Sequence, residues 1–149
     1  MKPKMRHTPL NILLADDDKD EYFLFEKALE ELSVLTHLKT VSNGEELINY
    51  LTENTEHLPD VIFLDLNMPR INGSECLLKI KGNKKLKHLP VIIYSTSLRD
   101  ESVDELYKNG AHYYLHKSNF AELPECIRKV LAMVTKNPNQ PSRDEFIIG

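Results

Sequence analysis

Four short apolar runs in this sequence end on residues that could do chemistry. Leu10–Ala15 is followed by Asp16-Asp17-Asp18, Val61–Leu64 by Asp65, Val91–Tyr94 by Ser95-Thr96, and Tyr113–His116 by Lys117. If the runs are neighbouring strands, their ends gather carboxylates, hydroxyls and an ammonium in one place. Grouped carboxylates raise the cost of ionising one another, and a divalent cation removes that cost. Carboxylate, carbonyl and water oxygens suit Mg²⁺, which keeps several waters and binds substrate phosphate. The lysine and the hydroxyls of Ser95 and Thr96 would hold the other phosphoryl oxygens. An aspartate can itself be the nucleophile, giving an aspartyl-phosphate. The set points to phosphoryl transfer onto a carboxylate, with positioning and charge neutralisation as the catalysis.

The elements that must position these residues alternate along the chain. Helical stripes of apolar residues run through Asp18–Leu32, Asn43–Leu51, Ser74–Lys81, Glu101–Asn109 and Ala121–Val134. A weaker strand, His37–Val41, follows the first of them, and Gly110 stands at a natural C′ position. Strands alternating with helices predict an α/β fold: a doubly wound, five-stranded parallel sheet with helices on both faces. The expected strand order is the flavodoxin-like 2-1-3-4-5, which makes the first, third, fourth and fifth strands consecutive neighbours. Ligands of such sheets bind beyond the carboxyl ends of the strands, where the acidic residues, hydroxyls and lysine lie. The chain is too short for the eight units of a barrel.

At 149 residues the chain has the length of one domain. Residues 1–9 read as an N-terminal extension, 10–135 as the domain and 136–149 as a C-terminal tail. Pro138 and Pro141 make that tail look loose, although its Phe146-Ile147-Ile148 could dock. The net charge of −4 argues against nucleic acid as a partner, because sequence-independent binding is mostly phosphate neutralisation. No apolar run approaches the roughly 20 residues that span a bilayer, so a cytoplasmic protein with no membrane partner is expected. Cys76 and Cys126 show no metal-binding spacing, and His112 and His116 share a strand face without a third ligand. Lys79, Lys81, Lys84, Lys85 and Lys87 read first as solvated surface, with a docking patch for an acidic partner as the alternative.

With these residues in place, the chain resembles the receiver domains of two-component response regulators. The matching stretches are Ile12-Leu13-Leu14-Ala15-Asp16-Asp17, Val61 through Pro69, Gly73, Val91 through Thr96 and Tyr114-Leu115-His116-Lys117. The spacings of 30 residues from Asp65 to Ser95 and 22 from Ser95 to Lys117 fit as well. The resemblance implies a stand-alone regulator in which Asp65 takes a phosphoryl group from a histidine kinase or a histidine phosphotransfer protein. Asp17 would ligate Mg²⁺ directly, Asp16 largely through water, and the Asn67 backbone carbonyl would complete the shell with Asp65. Lys117 would pair with Asp65 and then with a phosphoryl oxygen, and the Ser95 hydroxyl would turn toward the phosphoryl group. Tyr114 would swing inward in response, a two-state element biased by phosphate contacts. The downstream protein target is not named by the sequence. Asp18 is expected to cap the first helix instead of touching metal.

Departures from the family pattern are specific. Ser118 stands where the family usually has proline after the lysine. Either Lys117–Ser118 is a cis non-proline bond, at about 2.5–4 kcal/mol, or the lysine arrives by a different turn. Ser95 replaces the commoner threonine, Thr96 adds bulk beside Asp65, and Asn72 replaces a frequent aspartate before Gly73. Asn67 and Ser97 occupy the positions that tune phosphate lifetime in the family. The runner-up is a receiver-like binding module that takes no phosphate, which would usually lack one of Asp17, Asp65 or Lys117. A phosphatase with an aspartyl nucleophile would carry it on the first strand. A flavin carrier would need a phosphate-cradling loop where three aspartates stand.

Overall fold

The computed structural model describes residues 9–96, 100–117 and 121–148. Strands β1 (Leu10–Ala15), β2 (Thr36–Val41), β3 (Val61–Leu64), β4 (Val91–Ser95) and β5 (Tyr113–His116) alternate with helices α1 (Lys19–Glu30), α2 (Gly44–Glu53), α3 (Gly73–Lys81), α4 (Asp100–Lys108) and α5 (Leu123–Lys136). A 3₁₀ turn at Arg143–Glu145 and a short strand, β6 (Ile147–Ile148), complete the chain. The sheet order is β2-β1-β3-β4-β5-β6, every pair parallel. The expected 2-1-3-4-5 arrangement is present, with one strand more than expected. No helix among the described residues is long and apolar enough to cross a membrane.

Period-two alternation sends each central strand's side chains to two separate cores. Leu13, Ile62, Leu64, Ile93 and Tyr114 meet α2, α3 and α4 on one face. Ile12, Leu14, Phe63, Ile92 and Tyr94 meet α1 and α5 on the other. Because both faces are covered, β3 and β4 are buried along their whole length, which is why they read as unbroken apolar runs. Asp18, Asn43 and Asn72 cap α1, α2 and α3 by accepting amide hydrogen bonds with their side chains. For Asp18 this is the expected role, and Asn72 caps in place of the family's aspartate.

The stretch after α5, read from its prolines as loose, is instead fastened to the domain. His112 Nδ1 accepts from the Val91 amide, so its Nε2 donates to the Pro138 carbonyl at 2.8 Å. Gln140 donates to the carbonyls of Tyr107 and Ala111, and the Tyr107 hydroxyl donates to Pro141 at 2.6 Å. Arg143 pairs with Asp104 of α4 at 2.8 Å. Phe146 is fully buried against the Tyr107 ring, and β6 pairs Ile147 with Tyr114 and Ile148 with Leu115.

Candidate functional site

Asp16, Asp65 and Lys117 each sit one position past a paired strand, and each amide extends the ladder. Asp16 donates to Val41 at 3.0 Å, Asp65 to Ala15 at 2.9 Å and Lys117 to Ser95 at 3.0 Å. The side chains are thereby held at the ends of rigid elements, not on free loops. Carboxylate oxygens of Asp16, Asp17 and Asp65 lie within 4.8 Å of one another. Asp16 and Asp65 are buried and Asp17 is exposed.

Lys117 is the counter-ion of this group. Its Nζ lies 2.5 Å from Asp16 Oδ2 and 3.6 Å from Asp65 Oδ2. The closer partner is thus Asp16, whereas the resemblance implied Asp65. Asp16 Oδ1 already accepts from the Asp18 amide at 3.0 Å, which turns Oδ2 toward the ammonium. Burial pushes the Asp65 carboxyl up to about 6; Lys117 opposes the shift and Asp16 adds to it. Burial alone would lower Lys117, but the hydrogen bond to Asp16 and the charge of Asp65 hold it above its ordinary value.

The loop after β3 is shaped by close contacts. Asp65 Oδ1 accepts from the Asn67 amide at 3.3 Å, and Asn67 is exposed. Arg70, after Pro69, takes the left-handed conformation (φ 70°) and pairs with Glu45 at 3.2 Å. A Cβ on Gly73 would lie 2.3 Å from the Asp65 carbonyl oxygen, so only glycine lets α3 start this close to Asp65. Ser95 and Tyr114 are both buried on neighbouring strands. Burial raises the Tyr114 phenol while the adjacent Ser95 hydroxyl lowers it. Tyr114 already lies inward. Thr96 is exposed and its carbonyl meets His116 Nε2 at 2.9 Å. Ser97 and the Lys117–Ser118 bond lie outside the described residues.

Three residues near the site were not singled out by sequence. The Tyr22 hydroxyl donates to the carbonyl of Asp16 at 2.5 Å, with the carbonyl of Val41 sharing the same proton at 3.2 Å. Glu21, on α1, is buried and accepts from the Tyr94 hydroxyl at 3.1 Å. Burial raises the Glu21 carboxyl, with Lys117 opposing. All three look like ordinary members of an amphipathic helix or a strand, and only the fold brings them to the site.

The receiver-domain family model of response regulators matches residues 12–128. The chain is 32% identical over 114 residues to response regulator Rcp1 of Synechocystis sp., spanning 74% of this chain and 78% of that protein. Among solved structures, the phosphorylated cyanobacterial phytochrome response regulator RcpA is similar at a TM-score of 0.79 and 31% identity, over 91% of this chain and 100% of that one. The Mn²⁺-bound form of Rcp1 gives 0.77 and 29%, over 90% and 100%. With four acidic, hydroxyl and basic strand ends meeting in a 2-1-3-4-5 sheet, the chain belongs to the response regulator receiver domains. It is a two-component signalling module of the phosphorelay type.

Proposed function

We propose that Asp65 is the phosphoacceptor and that the chain works as a stand-alone regulator, residues 10–135 forming the receiver and 136–149 an appended segment. A carboxylate oxygen of Asp65 attacks the phosphorus of a phosphohistidine on a histidine kinase or phosphotransfer protein. The P–N bond breaks, and its electron pair leaves with the imidazole nitrogen. The observation that carries this is the set of three carboxylates within 4.8 Å of one another, two of which, Asp16 and Asp65, pair with the Lys117 ammonium.

The donor set is all hard oxygen, which fits Mg²⁺. Asp16, Asp17, Asp65 and the Asn67 carbonyl would hold it, and when bound it neutralises charge between the carboxylate and the incoming phosphate. Asp65 needs no general base, since a carboxyl at about 6 is mostly ionised above neutrality. Lys117, Ser95 and Thr96 hold the phosphoryl oxygens as charge shifts. The response is read by a protein contact on the side of Tyr114, in the cytoplasm, with neither nucleic acid nor membrane as partner.

The test is intact-protein mass spectrometry after incubation with acetyl phosphate and Mg²⁺, kept cold because acyl phosphates hydrolyse. One added phosphoryl group is expected, absent in Asp65→Asn. An adduct surviving in Asp65→Asn would show that another carboxylate reacts. No adduct with either small donors or active kinases would favour a binding module that takes no phosphate.

A further inference from the structure

The contacts of Lys117 extend beyond the two aspartates. Its Nζ also lies over the Tyr94 ring, 5.0 Å from the centroid. Tyr94 is fully buried on the α1–α5 side of β4, and its ring stands edge-on to Phe25 at 5.8 Å. Its hydroxyl donates to Glu21 Oε2 at 3.1 Å. The ring is therefore fixed at its far end by a carboxylate from α1 and at its side by a core phenylalanine. The remaining residues of β4 before Ser95 are aliphatic, so an aromatic ring here brings a feature that packing alone does not require. The Lys117 side chain is only 7% exposed, and an ammonium so far from water gains most from a ring face.

We propose that Tyr94, anchored by Glu21, is a positioning residue: its ring holds the Lys117 ammonium over the phosphoacceptor. This rests on the reading of Lys117 as a phosphoryl-holding group. The ammonium already lies closer to Asp16 than to Asp65; without the ring, the flexible four-carbon stem of lysine has a wall on the aspartate side only, and nothing holds the ammonium from the opposite side. With the ring, the ammonium keeps a second favourable surface and stays within reach of Asp65. Glu21 acts one step further out, by fixing the ring's orientation through the hydroxyl.

Two readouts test this on the full chain. The first is the ring-current displacement of the Lys117 ε-methylene protons, measured by NMR with Lys117→Met for assignment. It should persist in Tyr94→Phe, which keeps the ring, and vanish in Tyr94→Leu. The second is the initial rate of Asp65 phosphorylation by acetyl phosphate with Mg²⁺. Tyr94→Leu should slow it about thirtyfold, the fold-change of a desolvated cation–π contact, while Tyr94→Phe recovers most of it. In a Lys117→Ala background Tyr94→Leu should have no further effect. A merely structural ring would lower thermal stability in both backgrounds and leave the rate per folded molecule unchanged. An undisplaced ε-methylene signal in the parent chain, or an equal Tyr94→Leu loss with and without Lys117, overturns the proposal. Should the parent chain take no phosphate at all, the assignment of Asp65 fails, and the NMR readout still decides the placement of Lys117.

Discussion

The amide of Tyr114 donates to the carbonyl of Phe146 at 2.8 Å, joining the middle of β5 to the residue before β6. Both side chains are buried in the core beneath α4, Tyr114 at 1% exposure and Phe146 at 0%. The resemblance to receiver domains implies that Tyr114 moves between outward and inward positions. Here it is inward, and its backbone is tied to the segment that follows α5. Both side chains belong to one buried core, so β5 and the C-terminal segment share one packing arrangement.

Phe146→Ala should reveal that sharing. Truncating a fully buried phenylalanine removes its transfer free energy and leaves a cavity, at about 3–5 kcal/mol. Urea unfolding is expected to show a loss of this size. Amide exchange should rise at Tyr114 and Leu115, whose register partners are Ile147 and Ile148. Unchanged protection on β5 would mean that β6 contributes nothing to holding that strand.

Asp65 links stability to pH in a sign opposite to that of a carboxylate whose pKa is lowered by folding, because burial outweighs its pairing with Lys117. Its pKa is raised from 3.8 to about 6, chiefly by burial. Between those values the folded chain binds more protons than the unfolded one. Stability therefore falls as pH rises through that window, and the cost persists above it. Asp65→Asn should be more stable than the parent at pH 8 without divalent cations, by on the order of 3 kcal/mol. The difference should shrink steadily below pH 6 and vanish near pH 4. Denaturation curves in chelator across this range would check it; a constant difference would contradict the assigned cause.

Asp17 is the exposed member of the acidic group. Removing it should cost little in folding, since surface substitutions usually stay within about 0.5 kcal/mol. It should nevertheless weaken Mg²⁺ binding by tenfold or more, because it would be a direct ligand. Calorimetric titration of Asp17→Ala beside a chelator-treated melting curve separates the two effects. Unchanged Mg²⁺ affinity would remove Asp17 from the metal shell.

Gly73→Ala tests the close approach of α3 to Asp65. The new methyl would have to push the Asp65 carbonyl away from a 2.3 Å contact. Overpacking of this kind costs about 1–3 kcal/mol, and the displaced backbone belongs to Asp65 itself. Both lower stability and weaker Mg²⁺ binding are expected; normal metal affinity would show that the loop after β3 yields elsewhere.

How much of this was legible beforehand depends on what each element must bury. β1, β3 and β5 fall on the apolar runs read for them, because strands covered on both faces are mostly apolar, with Asn11 the exposed exception in β1 and His116 half-buried at the end of β5. β4 runs on to include Ser95, a buried hydroxyl that reads as the start of a loop. Helix ends drift: α1 stops at Glu30, before the predicted Leu32, and α5 starts at Leu123 and runs to Lys136, past the predicted Val134. β6 was invisible as a strand because two residues carry no period, and the prolines before it suggested a loose tail whose apolar end could dock. The site residues were legible because they are polar groups at the ends of apolar runs. Tyr94 and Glu21 were not, since one closes an apolar run and the other sits in a polar stretch of α1, and only the packing of α1 on β4 brings them together.

β6 also changes what the sheet offers to other molecules. Without it, Tyr113–His116 would end the sheet as an aromatic strand with a row of open backbone donors and acceptors, the kind of template on which chains pair into aggregates. Two residues of β6 close most of that row and leave only a very short strand outermost, its Ile147 half exposed. At the opposite border, β2 carries the exposed His37 and Lys39, and a charged outer strand discourages pairing. The appended segment thus acts as a selvedge, finishing the one side of the sheet whose sequence would otherwise invite another chain to continue it.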